Sequence, residues 1–139
     1  MRKKKQGHAE YRLLIFPSFS EVTKKFSTLF RLETVKEFAN FSYEIAVEER
    51  VLNNTISWKI HGLRSPQVSL PATGPAAFAK KYENLRGVYE FTITKLDGAE
   101  NSFTLSILEQ KVSVVKAPKH RFIKVLTSQD EMVPAFENP

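Results

Sequence analysis

Cysteine is absent from this sequence of 139 residues. Its absence excludes disulfide bonds, thiolate nucleophiles, iron–sulfur clusters and every zinc site that uses cysteine. The three histidines, His8, His61 and His120, lie far apart in the chain, so no close pair begins a metal site. The sequence therefore predicts no metal ligands and a fold that is held together by its hydrophobic core.

Glycine is scarce, and the five glycines stand apart at positions 7, 62, 74, 87 and 98. A loop that cradles a nucleotide phosphate needs clustered glycines, because backbone amides must approach the anion closely. The GxSxG turn of serine hydrolases is also missing. Ser113 and Lys116 match an SxxK spacing, but Val114 and Val115 between them favour a strand over the required helix. These absences predict a protein without a cofactor that is not an enzyme.

Long apolar runs are missing as well. A membrane-spanning helix needs roughly 18 to 20 consecutive apolar residues, and no segment approaches that length. Residues 2–5 resemble the charged start of a signal peptide, but the apolar run that follows covers residues 13–16 alone. We therefore expect no membrane span and a cytoplasmic location.

Apolar residues nevertheless make up 42% of the chain, and 11 of them are phenylalanine. This content is too high for a disordered chain and too low for a membrane protein, and the length fits one domain. We expect a single domain over residues 9–127. Residues 1–8 are expected to form a disordered basic tail, and residues 128–139 a flexible acidic tail.

The net charge of +6 is concentrated in two short segments. Residues 2–5 contribute four positive charges, and a second cluster near the last predicted strand contributes four more, so that the rest of the chain is slightly negative. The second cluster consists of Lys116, Lys119, Arg121 and Lys124. Such local charge is typical of a solvated surface or of a site that binds an anion.

Alternation of apolar and polar residues predicts two hairpins. Residues 41–47 and 56–60 each alternate with a period of two, and Asn53 and Asn54 between them tolerate the positive φ of a tight turn. Trp58 falls on the apolar side of its strand, so it is expected to point inward. Residues 89–93 and 103–107 repeat the pattern around the turn dipeptide at 97–98.

Four further segments have strand character: residues 10–16, 67–70, 111–115 and 121–126. Eight short strands at this spacing predict an antiparallel β-sandwich of the Greek-key, immunoglobulin-like type. Residues 85–89 strengthen the prediction, because they resemble the tyrosine corner of such sandwiches, in which a tyrosine hydroxyl folds back onto the preceding backbone. Tyr89 is therefore expected to be structural.

Two segments carry a helical spacing instead. Phe19, Val22, Phe26 and Phe30 recur every three or four residues after a capping pattern, which predicts a helix over residues 19–31. A second, shorter helix is predicted after Pro75 and before Gly87. The alternative fold is an α+β domain in which one helix packs on an antiparallel sheet.

We expect a binding or protein-interaction module with an unidentified protein partner. Residues 62–87 form the longest connection between the confident strands, and long connections often carry function. The alternative is an anion- or nucleic-acid-binding protein that uses residues 2–5 and the second basic cluster; a hydrolase and a lipid carrier are less favoured. The candidate binding residues are Phe78, Lys80, Lys81, Tyr82 and Arg86, together with Lys116, Lys119, Arg121 and Lys124.

Overall fold

The computed structural model describes residues 9–39, 43–65 and 73–127, which form nine β-strands and no helix. The predicted tails at 1–8 and 128–139 and the predicted strand at 67–70 lie outside these residues. The chain is mainly β, as predicted. The strands are β1 (Tyr11–Ser20), β2 (Lys25–Phe38), β3 (Glu44–Leu52), β4 (Thr55–Arg64), β5 (Gly74–Glu83), β6 (Gly87–Thr94), β7 (Glu100–Leu108), β8 (Lys111–Lys116) and β9 (Ile123–Thr127).

All nine strands belong to one sheet, in the order β8-β7-β6-β4-β3-β5-β2-β1-β9. Most neighbours are antiparallel, but β1 with β9, β3 with β5 and β4 with β6 are parallel. Because β8 at one end of this order contacts β1 and β9 at the other, the sheet is a nearly closed barrel. This single mixed sheet takes the place of the predicted antiparallel sandwich. Alternation identifies a strand's buried face but leaves its neighbours undetermined.

The connections between strands define two ends of the barrel. The lower end carries the turns at 21–24, 53–54 and 109–110 and the loop at 84–86. The upper end carries the start of β1, the β6–β7 turn and the β8–β9 connection. Ion pairs join distant segments at both ends, with 2.8 Å between Arg86 and Glu109 below and 2.8 Å between Lys95 and Glu10 above.

The barrel interior is filled by alternate side chains of the strands. Trp58 lies at its centre with 1% of its surface exposed, so the predicted inward orientation is confirmed. Its ring contacts those of Phe78 and Phe91 edge to face, with centroids 4.9 and 5.4 Å apart. Phe30 contacts the same indole from β2 at 6.0 Å.

The predicted helix at 19–31 is wrong, because this segment is the turn and flanking strands of the β1–β2 hairpin. Phe19 pairs directly with Phe26 across the hairpin, and their ring centroids lie 4.9 Å apart. The turn brings together residues whose spacing imitates one helix face. From Phe26 onward, alternate residues of β2 face inward, which is the period of a strand.

The predicted helix between Pro75 and Gly87 is also wrong, because Gly74–Glu83 is strand β5. Phe78 and Tyr82 are an even number of residues apart, so one face of a strand carries both, just as one face of a helix would. Residues 62–87 are therefore not one long connection, since they include the end of β4 and all of β5.

The two predicted hairpins are present, although the β3 segment begins at Glu44 and residues 41–42 lie outside the described residues. Of the two asparagines in the first turn, Asn53 has a positive φ of 55° and Asn54 does not. In the second turn, Gly98 has a φ of 92°. The hydroxyl of Tyr89 accepts a hydrogen bond from the Arg86 amide at 3.4 Å, so the expected folding back of this tyrosine is confirmed within a different sheet architecture.

Candidate functional site

The structure places the predicted binding residues of β5 in three different environments. Phe78 and Tyr82 face the barrel interior, where Tyr82 is 8% exposed. Lys80 shares their side of the strand and Lys81 lies on the outer side, and both are exposed. Arg86 follows in the loop at the lower end. These five residues therefore do not form one surface.

Strands β3 and β5 leave a gap in the barrel wall. In the described residues they pair at a single position, Glu44 with Ala77, and their backbones pair no further towards the lower end. Side chains fill the gap instead: Lys80 and Tyr82 from β5 reach Glu49 on β3. The distance from Lys80 Nζ to Glu49 Oε1 is 3.8 Å.

The Tyr82 hydroxyl joins this gap to the aromatic core. It accepts a hydrogen bond from Trp58 Nε1 at 3.0 Å and donates one to the carboxylate of Glu49. Both polar functions of the hydroxyl are thus satisfied in a site with little access to water, as buried polar groups require. The arrangement makes Tyr82 part of the barrel wall.

Burial of Tyr82 and its hydrogen bond to Glu49 raise the pKa of the phenol above the ordinary value of 10.0. The unfolded chain therefore releases this proton near pH 10 while the native state retains it. We expect the free energy of unfolding to fall as the pH rises above about 10, by up to roughly 1.4 kcal/mol per pH unit from this group.

Urea unfolding of the wild type and of Tyr82→Phe, at about pH 8 and about pH 10.5, measures this effect. The difference in stability between the two proteins should shrink at the higher pH, because the variant lacks the titrating hydroxyl. Burial also raises the pKa of Tyr11, but Tyr11 is common to both proteins and cancels in the comparison. A pH-independent difference would contradict the assigned environment of Tyr82.

Exposed apolar side chains occupy the turns of the lower end. Val22 is 92% exposed, Leu52 67% and Leu108 49%, and each belongs to a different hairpin. Phe19, Val51 and Val88 near the same turns are also exposed. We call Val22, Leu52 and Leu108, together with Lys24, Lys25 and Arg86, the lower rim.

A cavity of about 580 Å³ opens at this end, between the β1–β2 turn, the β5–β6 loop and the β7–β8 turn. Three basic residues of the lower rim line it, along with the apolar side chains of Phe26, Leu85 and Leu108. Glu109 lines it as well and lies 2.8 Å from Arg86, and Lys24 pairs with Glu21 at 3.3 Å. The cavity therefore offers a mixture of apolar surface and positive charge.

The second basic cluster lies towards the upper end, away from the lower rim. We call Lys116, Lys119, Arg121 and Lys124 the upper patch; all four are exposed. Within the described part of the chain, no carboxylate lies within ion-pair distance of any of them, whereas eight other Lys and Arg side chains have such a partner. Among the described residues, the four cations of the upper patch therefore have no carboxylate partner.

Asn101 positions the connection that carries the upper patch. Its side chain is 4% exposed; Nδ2 donates to the His120 carbonyl at 3.0 Å, and Oδ1 accepts from the Phe122 amide at 2.9 Å. These bonds hold the β8–β9 connection against β7. Lys119 and Arg121 flank the anchored residues and are thereby presented to solvent.

A pair of titratable groups lies on the outer face of β3 and β4. His61 Nε2 is 2.9 Å from Glu48 Oε1, and this hydrogen bond lowers the pKa of the Glu48 carboxyl. The pair is exposed to solvent. In the described residues no three His, Asp or Glu side chains are grouped so as to hold a metal ion.

Comparison of the chain with protein-family models, with curated proteins and with solved structures finds no match. Among the described residues there is also no helix of the length and apolarity needed to cross a bilayer. Sequence reasoning identified Arg86 and the upper patch but not Val22, Leu52 or Leu108. The sequence signal for an exposed apolar side chain was Val22 among the polar residues 21–24. The predicted helix placed Val22 on a buried face instead.

Proposed function

We propose that this chain is a non-enzymatic binding module that contacts its partner with the lower rim. One observation carries the proposal: three separate hairpins expose an aliphatic side chain at the same end of the barrel, where a cavity also opens. Each exposed aliphatic side chain costs free energy in water, and several of them at one end of a domain favour a recognition surface there. The cytoplasmic location expected from the sequence is part of the proposal.

The barrel gives this surface a rigid support. Buried aromatic residues hold β2, β4 and β6 together behind the rim, and the Tyr82 to Glu49 hydrogen bond ties β5 to β3. Binding residues on turns that extend from such a support lose little conformational entropy when a partner is bound. Of the residues predicted on β5 and its loop, Arg86 contributes directly to the rim.

The proposal is tested by retention of cell components from a detergent-free lysate that contains both proteins and membranes. The immobilised proteins are the wild type, Val22→Glu/Leu52→Glu and the matched control Leu96→Glu. Leu96 is 70% exposed on an upper-end turn, so its substitution adds the same kind of charge at a distance from the rim. Circular dichroism first establishes that all three are folded.

We expect the wild type and the control to retain the same components, and the double variant to lose them. Equal retention by all three proteins would exclude the lower rim as the binding surface.

The four cations of the upper patch have no carboxylate partner among the described residues, which favours a second candidate function, the binding of nucleic acid. Phosphate contacts by Lys and Arg release counterions, so affinity for an oligonucleotide should fall steeply as salt increases. Fluorescence anisotropy with a labelled oligonucleotide at increasing salt tests this function. Lys119→Glu/Arg121→Glu should abolish the binding, whereas Val22→Glu/Leu52→Glu should leave it unchanged.

A further inference from the structure

We infer that the lower rim binds the surface of a lipid bilayer that contains anionic lipids. The inference rests on the proposed function, since it names the partner of the same rim. It is carried by the placement of the three aliphatic tips around the barrel and by the charge between them.

The strand order spaces the three tips around the end of the barrel. The β7–β8, β3–β4 and β1–β2 hairpins are separated in the sheet by the single strands β6 and β5, and β9 follows β1 at the end of the order. Leu108, Leu52 and Val22 therefore extend from three spaced points of one rim rather than from one continuous patch. Three spaced points define a plane, so a flat surface can contact all of them together.

A protein partner usually requires a different distribution of apolar surface. The residues that contribute most to protein–protein affinity cluster near the centre of the interface, and large aromatic side chains are prominent among them. Here a cavity at the same end of the barrel, between the β1–β2 turn, the β5–β6 loop and the β7–β8 turn, has Lys24, Lys25 and Arg86 in its lining. Small aliphatic tips beside a basic recess are suited to shallow insertion among lipid headgroups.

The charge of the lower end complements an anionic bilayer. Its four connections, each taken with one flanking residue on either side, contain four basic side chains, Lys24, Lys25, Arg86 and Lys111, and three glutamates, Glu21, Glu83 and Glu109. Lys24 pairs with Glu21 and Arg86 pairs with Glu109. Among the described residues, Lys25 and Lys111 have no carboxylate within ion-pair distance. Lys and Arg can extend their aliphatic stems along apolar surface while the charged group stays at the lipid phosphates.

Sedimentation of the full chain with lipid vesicles tests the inference. One set of vesicles contains phosphatidylcholine alone, and the other contains phosphatidylcholine with phosphatidylserine. We expect the wild type to sediment with the anionic vesicles and to be released as salt increases. Val22→Glu/Leu52→Glu should lower the apparent affinity about tenfold or more, because each glutamate adds repulsion where an apolar contact is lost. The control Leu96→Glu should sediment like the wild type.

Three results would overturn the inference. In the first, no vesicle retains the wild type; loss of lysate components by Val22→Glu/Leu52→Glu would then still support the proposed function with a protein partner. In the second, the rim variant sediments as well as the wild type. In the third, the variant Lys119→Glu/Arg121→Glu no longer sediments with vesicles, whereas Val22→Glu/Leu52→Glu still does. This result would assign the bilayer contact to the upper patch.

Discussion

Replacement of Trp58 by alanine is expected to lower the free energy of unfolding by about 3–5 kcal/mol. The indole is 1% exposed and contacts the rings of Phe30, Phe78 and Phe91, so the substitution would leave a large cavity in the barrel centre. It would also remove the Nε1 donor to Tyr82. Since small domains are typically stable by about 5–15 kcal/mol, this loss is a large fraction of the free energy of unfolding.

Urea unfolding followed by far-ultraviolet circular dichroism measures the effect. Tryptophan fluorescence cannot be used, because Trp58→Ala removes the single tryptophan of the chain. Leu96→Ala is the matched control; its side chain is 70% exposed, and a change within about 0.5 kcal/mol is expected. A loss below about 1 kcal/mol for Trp58→Ala would contradict a tightly packed aromatic core.

Replacement of Asn101 by alanine is expected to cost about 1–3 kcal/mol, because the buried Phe122 amide would lose its acceptor and the His120 carbonyl would lose a donor. The β8–β9 connection should also become more mobile. Amide hydrogen exchange in residues 117–122 should therefore increase more than exchange in the β6–β7 hairpin.

Ser102→Ala is the control for Asn101→Ala. Ser102 is the next residue of β7, and its hydroxyl lies 2.9 Å from that of Thr92 on the exposed face of the barrel. Its loss should change stability by less than about 0.5 kcal/mol and leave exchange at 117–122 unaltered. Equal effects of the two substitutions would contradict the anchoring role of Asn101.

The hairpins could be predicted because their signals are local. Asn53 and Gly98 supply the backbone conformations of their turns, and the flanking strands alternate with a period of two. The inward orientation of Trp58 follows from the same alternation. Each of these features depends on residues within one or two turns of the chain, so the sequence pattern is sufficient to predict it.

The two helix predictions failed where one spacing fits two structures. Phe19 and Phe26 are seven residues apart. In a helix this spacing is two turns, so both side chains would lie on one face. In a hairpin with a four-residue turn, the same spacing places the two residues directly opposite each other on neighbouring strands. From Phe26 to Leu32 the apolar–polar alternation is broken by Thr28 on the inner side and Leu29 on the outer side, so the sequence pattern did not exclude a helix. In β5, alanine and lysine prefer helices, but burial of Phe78 and Tyr82 in the barrel outweighs that preference.

The three aliphatic residues of the lower rim could not be predicted as a group, because they come from three hairpins that are distant in sequence. Val22, Leu52 and Leu108 meet at one end only through the order of the strands. That order includes the three parallel pairings, which no turn signal reveals. The gap between β3 and β5, which Glu49 and Tyr82 bridge, could not be predicted either, because it depends on the same strand order.

The parallel pairing of β1 with β9 has a consequence for how the chain folds. It pairs Tyr11 with Ile123, two residues that are far apart in the sequence. Forming this contact closes a long loop of the chain and therefore costs a large loop-closure entropy. During synthesis, the β1–β2 and β3–β4 hairpins can form on the growing chain, whereas β1 must wait for β9 to emerge from the ribosome. Until then one edge of β1 stays open to pairing with other chains, and aggregation in this interval competes with closure of the barrel.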